Sequence, residues 1–273
     1  MPRITPSFCE DSHEIVEGST ETGLVFLCDH ATARIPPDYA QLGLDPRQLA
    51  RHIAYDIGAE TVTRSLARHF DAPAVLSRFS RLLIDPNRGE DDPTLVMRIA
   101  DGAIVPGNAT IGPEEVTRRI DRFYRPYDAA IHATLSAVAA AGRPPVVVAM
   151  HSFTPEMKGV KRPWHVTVIW DFDPRLNRRL LDSLAAETDL VVGENEPYHG
   201  GYAGDTIDRH CLVAGYAHVL VEIRQDLIST PEAAEAWGER LARHLRPLVS
   251  HPDLHELRQY GAHPQPRARG SRS

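Results

Sequence analysis

The chain has little that would tie it to a membrane, a disulfide framework or a nucleic acid. No uninterrupted apolar run approaches the roughly 18 residues that a membrane span requires, and the opening M-P-R-I-T-P-S-F-C-E-D lacks the cationic-then-apolar order of a leader. Cysteine is scarce. Cys9, Cys28 and Cys211 are an odd set of three that suits a reducing compartment, so free thiols and a soluble, cytoplasmic protein are expected. A formal charge of -7 leaves no concentrated positive surface for a phosphate backbone, which argues against nucleic acid as a partner. Internal repeats, a Walker loop, a dinucleotide glycine fingerprint and a G-x-S-x-G elbow are also missing, and the cofactor folds that use them are disfavoured.

What is present is an ordinary globular composition, 42% hydrophobic and 25% charged, in 273 residues, enough for one large core. A single domain over residues 1–260 is expected, followed by a flexible tail, 261–273, rich in Pro, Arg, Gly and Ser. Apolar runs at Leu24–Cys28, Ala74–Ser77, Arg81–Asp85, Val146–Met150, Trp164–Trp170 and Ala217–Ile223 read as strands. Helical spacing covers Pro46 to Phe70, with a break at Gly58, then Pro113 to Ala141, Pro174 to Glu187 and Thr230 to Val249. This alternation predicts an α/β fold with a mostly parallel central sheet flanked by helices. The Gly/Pro/Asp-rich stretch from Pro86 to Gly112 is a long loop of the kind that often carries function.

Ligand sites in open α/β sheets form outside the carboxyl ends of the strands, so polar residues that follow apolar runs are the first candidates. His30 follows L-V-F-L-C-D, His151 follows V-V-V-A-M, and Glu222 lies near the end of H-V-L-V-E-I-R. Hydrolytic metal sites use three ligands drawn from His and Asp/Glu and leave one position open. His30, Asp56 and His151 supply such a set, with Glu60, one turn after Asp56, as the alternative acid. A divalent metal held there makes a nucleophilic water available near neutral pH, and Glu222 is the candidate proton shuttle. Zinc suits these ligands best, with cobalt, manganese or iron also accommodated.

Taken singly, each of these residues has a duller role: a strand-end His is commonly a hydrogen-bonded structural residue, and an Asp before a helix is commonly its cap. The combination raises the set above that reading. Arg81, Asn87 and Arg88 accumulate around a strand exit and could meet an anionic substrate, whereas Arg78 reads as a surface ion pair. In N-E-P-Y-H-G-G-Y-A-G-D-T-I-D-R-H, Tyr202 or His210 could reach a reacting oxygen. Arg224 is either a substrate contact or the partner of Asp226 or Glu222.

L-C-D-H-A, Y-D-I-G-A, S-R-L-L-I-D-P-N-R, M-H-S-F-T-P, N-E-P-Y and V-E-I-R-Q-D-L-I, in this order from Leu24 to Ile228, together resemble the N-formylglutamate amidohydrolase family. That resemblance implies a phosphorylase/hydrolase-like α/β fold related to zinc exopeptidases. It implies hydrolysis of N-formyl-L-glutamate to formate and glutamate, a reaction of histidine degradation, with a small anionic N-acyl amino acid as partner. It also places His30, Asp56 and His151 as metal ligands and Glu222 as general acid/base. Another N-acyl amino acid or a cell-wall amide is the alternative substrate, and a non-catalytic binder of an acidic metabolite is the alternative function.

Overall fold

The computed structural model describes residues 2–198, 200–261 and 263; the tail expected over 261–273 lies almost wholly outside them. At its centre is an eight-stranded sheet. Its strands are β1 (Ser7–Cys9), β2 (His13–Val16), β3 (Leu24–Cys28), β4 (Ala74–Ser77), β5 (Val146–Phe153), β6 (Val166–Ile169), β7 (Val192–Glu194) and β8 (His218–Arg224). The spatial order is β7-β6-β8-β5-β3-β4-β2-β1.

The pairings β8–β5, β5–β3, β3–β4 and β6–β7 are parallel. The expected parallel character holds for the middle of the sheet, but the whole is mixed. β6 runs antiparallel to β8, and the hairpin β1–β2, which has no strong apolar run to announce it, adds antiparallel to β4.

The central strands are apolar on both faces because both faces are covered. Alternate residues of β3 enter two different cores: Leu24, Phe26 and Cys28 pack on one side, Val25 and Leu27 on the other. The first core takes in α1 (Ala59–Phe70), α3 (Pro174–Ala185) and α4 (Pro231–Leu248) through Val62, Leu66, Leu180 and Leu241. The second takes in α2 (Arg125–Ala140), which continues Pro113–Arg119 through a wider turn at Ile120–Tyr124 and buries Ile131, Leu135 and Val138. Asp173 and Thr230 cap α3 and α4, each followed by a proline that gives up no needed N–H.

Two sequence expectations are corrected. The helical stretch from Pro46 splits into Pro46–Leu49 and α1, with an irregular segment between them that carries Asp56. Gly58 ends that segment at φ +81°, where a Cβ would sit 2.2 Å from the Ile228 carbonyl oxygen. Arg81–Asp85 is a turn rather than a strand, although Leu82, Leu83 and Ile84 are fully buried. Its carbonyls find side chains instead of a neighbouring strand: Asn108 Nδ2 donates to Leu82 O (2.7 Å) and Arg119 to Leu83 O (2.8 Å). Asn108 also donates to Met97 O (2.8 Å) and accepts from Arg119 (2.7 Å).

Because Asn108 is buried and serves three partners, two of them buried, Asn108→Ala should destabilise the protein by about 2–4 kcal/mol, the cost of stranding buried polar groups. Urea unfolding would show this as a lower midpoint at unchanged slope; a shift under about 0.5 kcal/mol, typical of a surface substitution, would refute the role given to this side chain.

Candidate metal and acid-base site

The parallel strands β3, β5 and β8 lie side by side, so their carboxyl ends open on one edge of the sheet. His30 stands two residues past β3, while His151 and Glu222 are paired in register on β5 and β8 and share a face. β5 runs through His151 and Ser152 rather than stopping before them, so the strand itself fixes that imidazole. Asp56 reaches the same place from the segment before α1, held by its N–H bond to His30 O (2.9 Å).

His30, Asp56 and His151 are buried, and one donor atom from each falls within 4.8 Å of the others, a group able to hold a metal ion. Asp56 Oδ2 lies 2.9 Å from His151 Nδ1 and 3.4 Å from His30 Nδ1. The far nitrogens are held by two further buried carboxylates, His30 Nε2 by Asp85 (2.7 Å) and His151 Nε2 by Asp29 (3.2 Å). A carboxylate behind each imidazole fixes its tautomer and turns the other nitrogen toward a metal, so the donor set fits a divalent cation. Tyr127 and Thr206 both donate to Asp29 (2.9 Å each), and Arg81 donates to Asp85 (2.8 Å) and approaches Asp56 (3.5 Å).

Burial disfavours charge on all these groups, but their mutual attraction prevails. Asp56 is held below the usual carboxylate range against that penalty by the His30 and His151 imidazoles, and Asp85 by Arg81 first and then by His30. For His151, burial works downward, yet hydrogen bonds to Asp29 and Asp56 push it up to about 10. Glu222 goes the other way. Burial, which outweighs the nearby cationic groups, raises it to about 7, and its Oε2 has no hydrogen-bond partner.

These residues open on a cavity of about 170 Å³ lined also by Arg81, Asn87, Arg88, Ser152, Tyr198 and Tyr202. That is below the roughly 300–1,000 Å³ of sites for drug-sized ligands and suits a small metabolite. A wider groove of about 620 Å³ lies between residues 90–99 and the helix at Pro113–Arg119. Among the described residues it gathers no metal-binding group, so volume is a poorer guide here than chemistry.

Of the sequence candidates, Arg81, Asn87, Arg88 and Tyr202 line the cavity, but not all are free to act there. Arg81 is committed to Asp85 and Asp56. Asn87 Oδ1 accepts from Thr206 N–H (3.0 Å). Arg88 stacks on Tyr202, 4.9 Å from the ring centre.

Arg224 and His210 fall outside the lining, which corrects the places expected for them. Arg224 pairs with Asp226 (2.8 Å), two residues away where β8 ends, and His210 with Asp128 (2.7 Å). Glu60, the alternative acid, is on the outside of α1 bonded to Arg64 (2.8 Å), with Arg78 at 3.4 Å. Sequence reasoning missed Asp29, Asp85 and Tyr198. Asp29 and Asp85 have a signal in the sequence, since both are acids at the ends of apolar runs.

The model of the N-formylglutamate amidohydrolase family matches residues 22–229. A solved gene product of Agrobacterium tumefaciens is 32% identical, with a TM-score of 0.82 over 89% of this chain and 96% of that one. An N-formylglutamate amidohydrolase from Ralstonia eutropha, 21% identical, shares the fold with a TM-score of 0.59 over 82% of this chain and 94% of its own. No curated protein matches the sequence. The family match takes in His30, Asp56, His151 and Glu222 and everything that holds them, and the chain belongs to the N-formylglutamate amidohydrolase family.

Proposed function

We propose that the protein is a metal-dependent hydrolase of N-acyl amino acids whose substrate is N-formyl-L-glutamate, split to formate and L-glutamate. Family membership carries amide hydrolysis. Metal dependence is supported by one observation above the others, two imidazoles and a carboxylate converging while two further buried carboxylates hold the imidazoles from behind.

His30, Asp56 and His151 would hold the cation, zinc being the metal proposed. When bound it supplies Lewis acidity and a nucleophilic water at neutral pH. Glu222, unpartnered and close to half-ionised near neutrality, takes a proton from the attacking water and delivers it to the amide nitrogen. The water oxygen bonds to the formyl carbon, the C–N bond breaks, and the nitrogen leaves as an amine. Arg88 has no carboxylate partner among the described residues and faces the cavity, which suits it to a substrate carboxylate. Asn87 stands beside it. Arg81 acts instead on Asp85, keeping it ionised for His30, and lies 3.5 Å from Asp56.

Purified protein should release formate from N-formylglutamate, lose that activity on chelation and regain it with zinc. His151→Ala should lose bound metal and activity together. Glu222→Gln should keep the metal while kcat drops about 10²–10⁴-fold, the usual contribution of a positioned acid/base. A His151→Ala enzyme that keeps both metal and activity would overturn the site, and a wild type that binds glutamate derivatives but releases no formate would favour a binding protein.

Ionised Glu222 is the proton acceptor, so kcat/KM should fall as pH drops below about 7. A bound cation favours the carboxylate and moves this limb to lower pH, and Glu222→Gln should abolish it. Metal binding must displace the proton that His151 keeps up to about 10. Affinity should therefore weaken about tenfold for each pH unit lowered, for one displaced proton, measurable by competition with a chromophoric chelator between pH 6 and 8. A flat dependence would contradict proton displacement.

A further inference from the structure

Arg162 is buried, yet every polar partner it has is neutral. Its guanidinium donates to Thr154 Oγ1 (2.9 Å) and O (3.4 Å), to Met157 Sδ (3.3 Å) and to the Tyr198 oxygen (3.3 Å). It also lies 5.2 Å from the centre of the Tyr198 ring. A guanidinium has donors only, so the phenol oxygen accepts from Arg162 and its own O–H must point elsewhere. Among the described residues that O–H donates no hydrogen bond, although Tyr198 lines the cavity with Glu222, His30 and His151. The cavity thus holds an unused donor on Tyr198 and an unused acceptor on Glu222.

Arg88 and Asn87 are the groups proposed to meet the substrate carboxylate, and four further candidates are spoken for or misplaced. Arg81 is tied to two carboxylates, Ser152 Oγ donates to Ile57 O (2.9 Å), and His210 lies outside the cavity. Tyr202 is 47% exposed and stacked on Arg88 at the rim. We propose that Tyr198 is the hydrogen-bond donor to the carbonyl oxygen that gains negative charge as the amide is attacked, and that Arg162 is the positioning residue that fixes and polarises its phenol. This rests on the amidohydrolase reading of the site. An oxyanion needs a donor already in place and still protonated. Burial and the charge of Glu222 raise Tyr198 above its ordinary value, so the proton stays on the oxygen throughout the working range.

The test is Tyr198→Phe in the metal-loaded enzyme, a change that removes one oxygen and keeps the ring. We expect kcat for formate release to fall about 10²–10³-fold, the usual loss for one such donor, with KM, metal content and urea midpoint little changed. Arg162→Gln should lower kcat less and add nothing further in the Tyr198→Phe background; should it fail to fold, Arg162→Lys, which keeps the charge, takes its place. In calorimetry, a tetrahedral phosphonamidate of glutamate should bind Tyr198→Phe at least tenfold more weakly, while glutamate binds both proteins alike. Wild-type kcat in Tyr198→Phe, a loss confined to KM, or equal loss of phosphonamidate and glutamate affinity overturns the assignment and leaves the amidohydrolase reading standing. A wild type that neither releases formate nor binds the phosphonamidate sinks that reading, and the Tyr198 assignment falls with it.

Discussion

The site depends on one electrostatic arrangement: three carboxylates, two imidazoles and a guanidinium packed where water hardly enters. Asp29, Asp56 and Asp85 could not stay ionised there alone, since desolvating a single carboxylate costs several kcal/mol. They stay ionised because His30, His151 and Arg81 are interleaved with them, each acid touching at least one base. Hydrogen bonds to these carboxylates hold both ring nitrogens of each imidazole. Glu222, whose Oε2 lies outside this network of bonds, behaves differently: burial raises it to about 7, so near neutrality it can both take up and give back a proton.

The sheet makes this possible at little cost to the rest of the molecule. Apolar strands covered on both faces supply a rigid floor, and the polar groups are confined to one edge where parallel strands end. From β8 and β5, Glu222 and His151 come out in register without any loop to order. The parts that complete the site arrive from irregular backbone. Asp56 sits on a segment ended by Gly58, and Asp85 on a turn whose carbonyls are bound by Asn108 and Arg119. Side chains here replace the hydrogen bonds that a neighbouring strand would otherwise make.

Much of this was legible in the sequence, for identifiable reasons. Apolar runs that stop at His30, at His151 and near Glu222 mark strand ends, and strand ends are where such sheets hold ligands. Asp56 was legible as a candidate ligand but not in its setting, because helical spacing runs on through residues where the chain in fact breaks. Arg81–Asp85 looked like a strand since burial alone makes a segment apolar; only the distant Asn108 and Arg119 show how its backbone is satisfied. The hairpin β1–β2 escaped notice because edge strands carry a weak pattern. For Arg224 and His210, residue type pointed to chemistry while the partners that engage them, Asp226 and Asp128, settle their place. Tyr198 was passed over for Tyr202, since nothing in N-E-P-Y-H-G-G-Y says which ring turns inward.

The support of Asp29 has a temporal side. Its carboxylate steadies His151 and is itself held by Tyr127 from α2 and by Thr206, which is 177 residues further along the chain. A nascent chain that has emerged only as far as β5 already owns His30, Asp56 and His151, yet lacks both Thr206 and Glu222. The hydrogen bonds that hold Asp29 behind His151 are therefore closed only when a late part of the chain joins an early one.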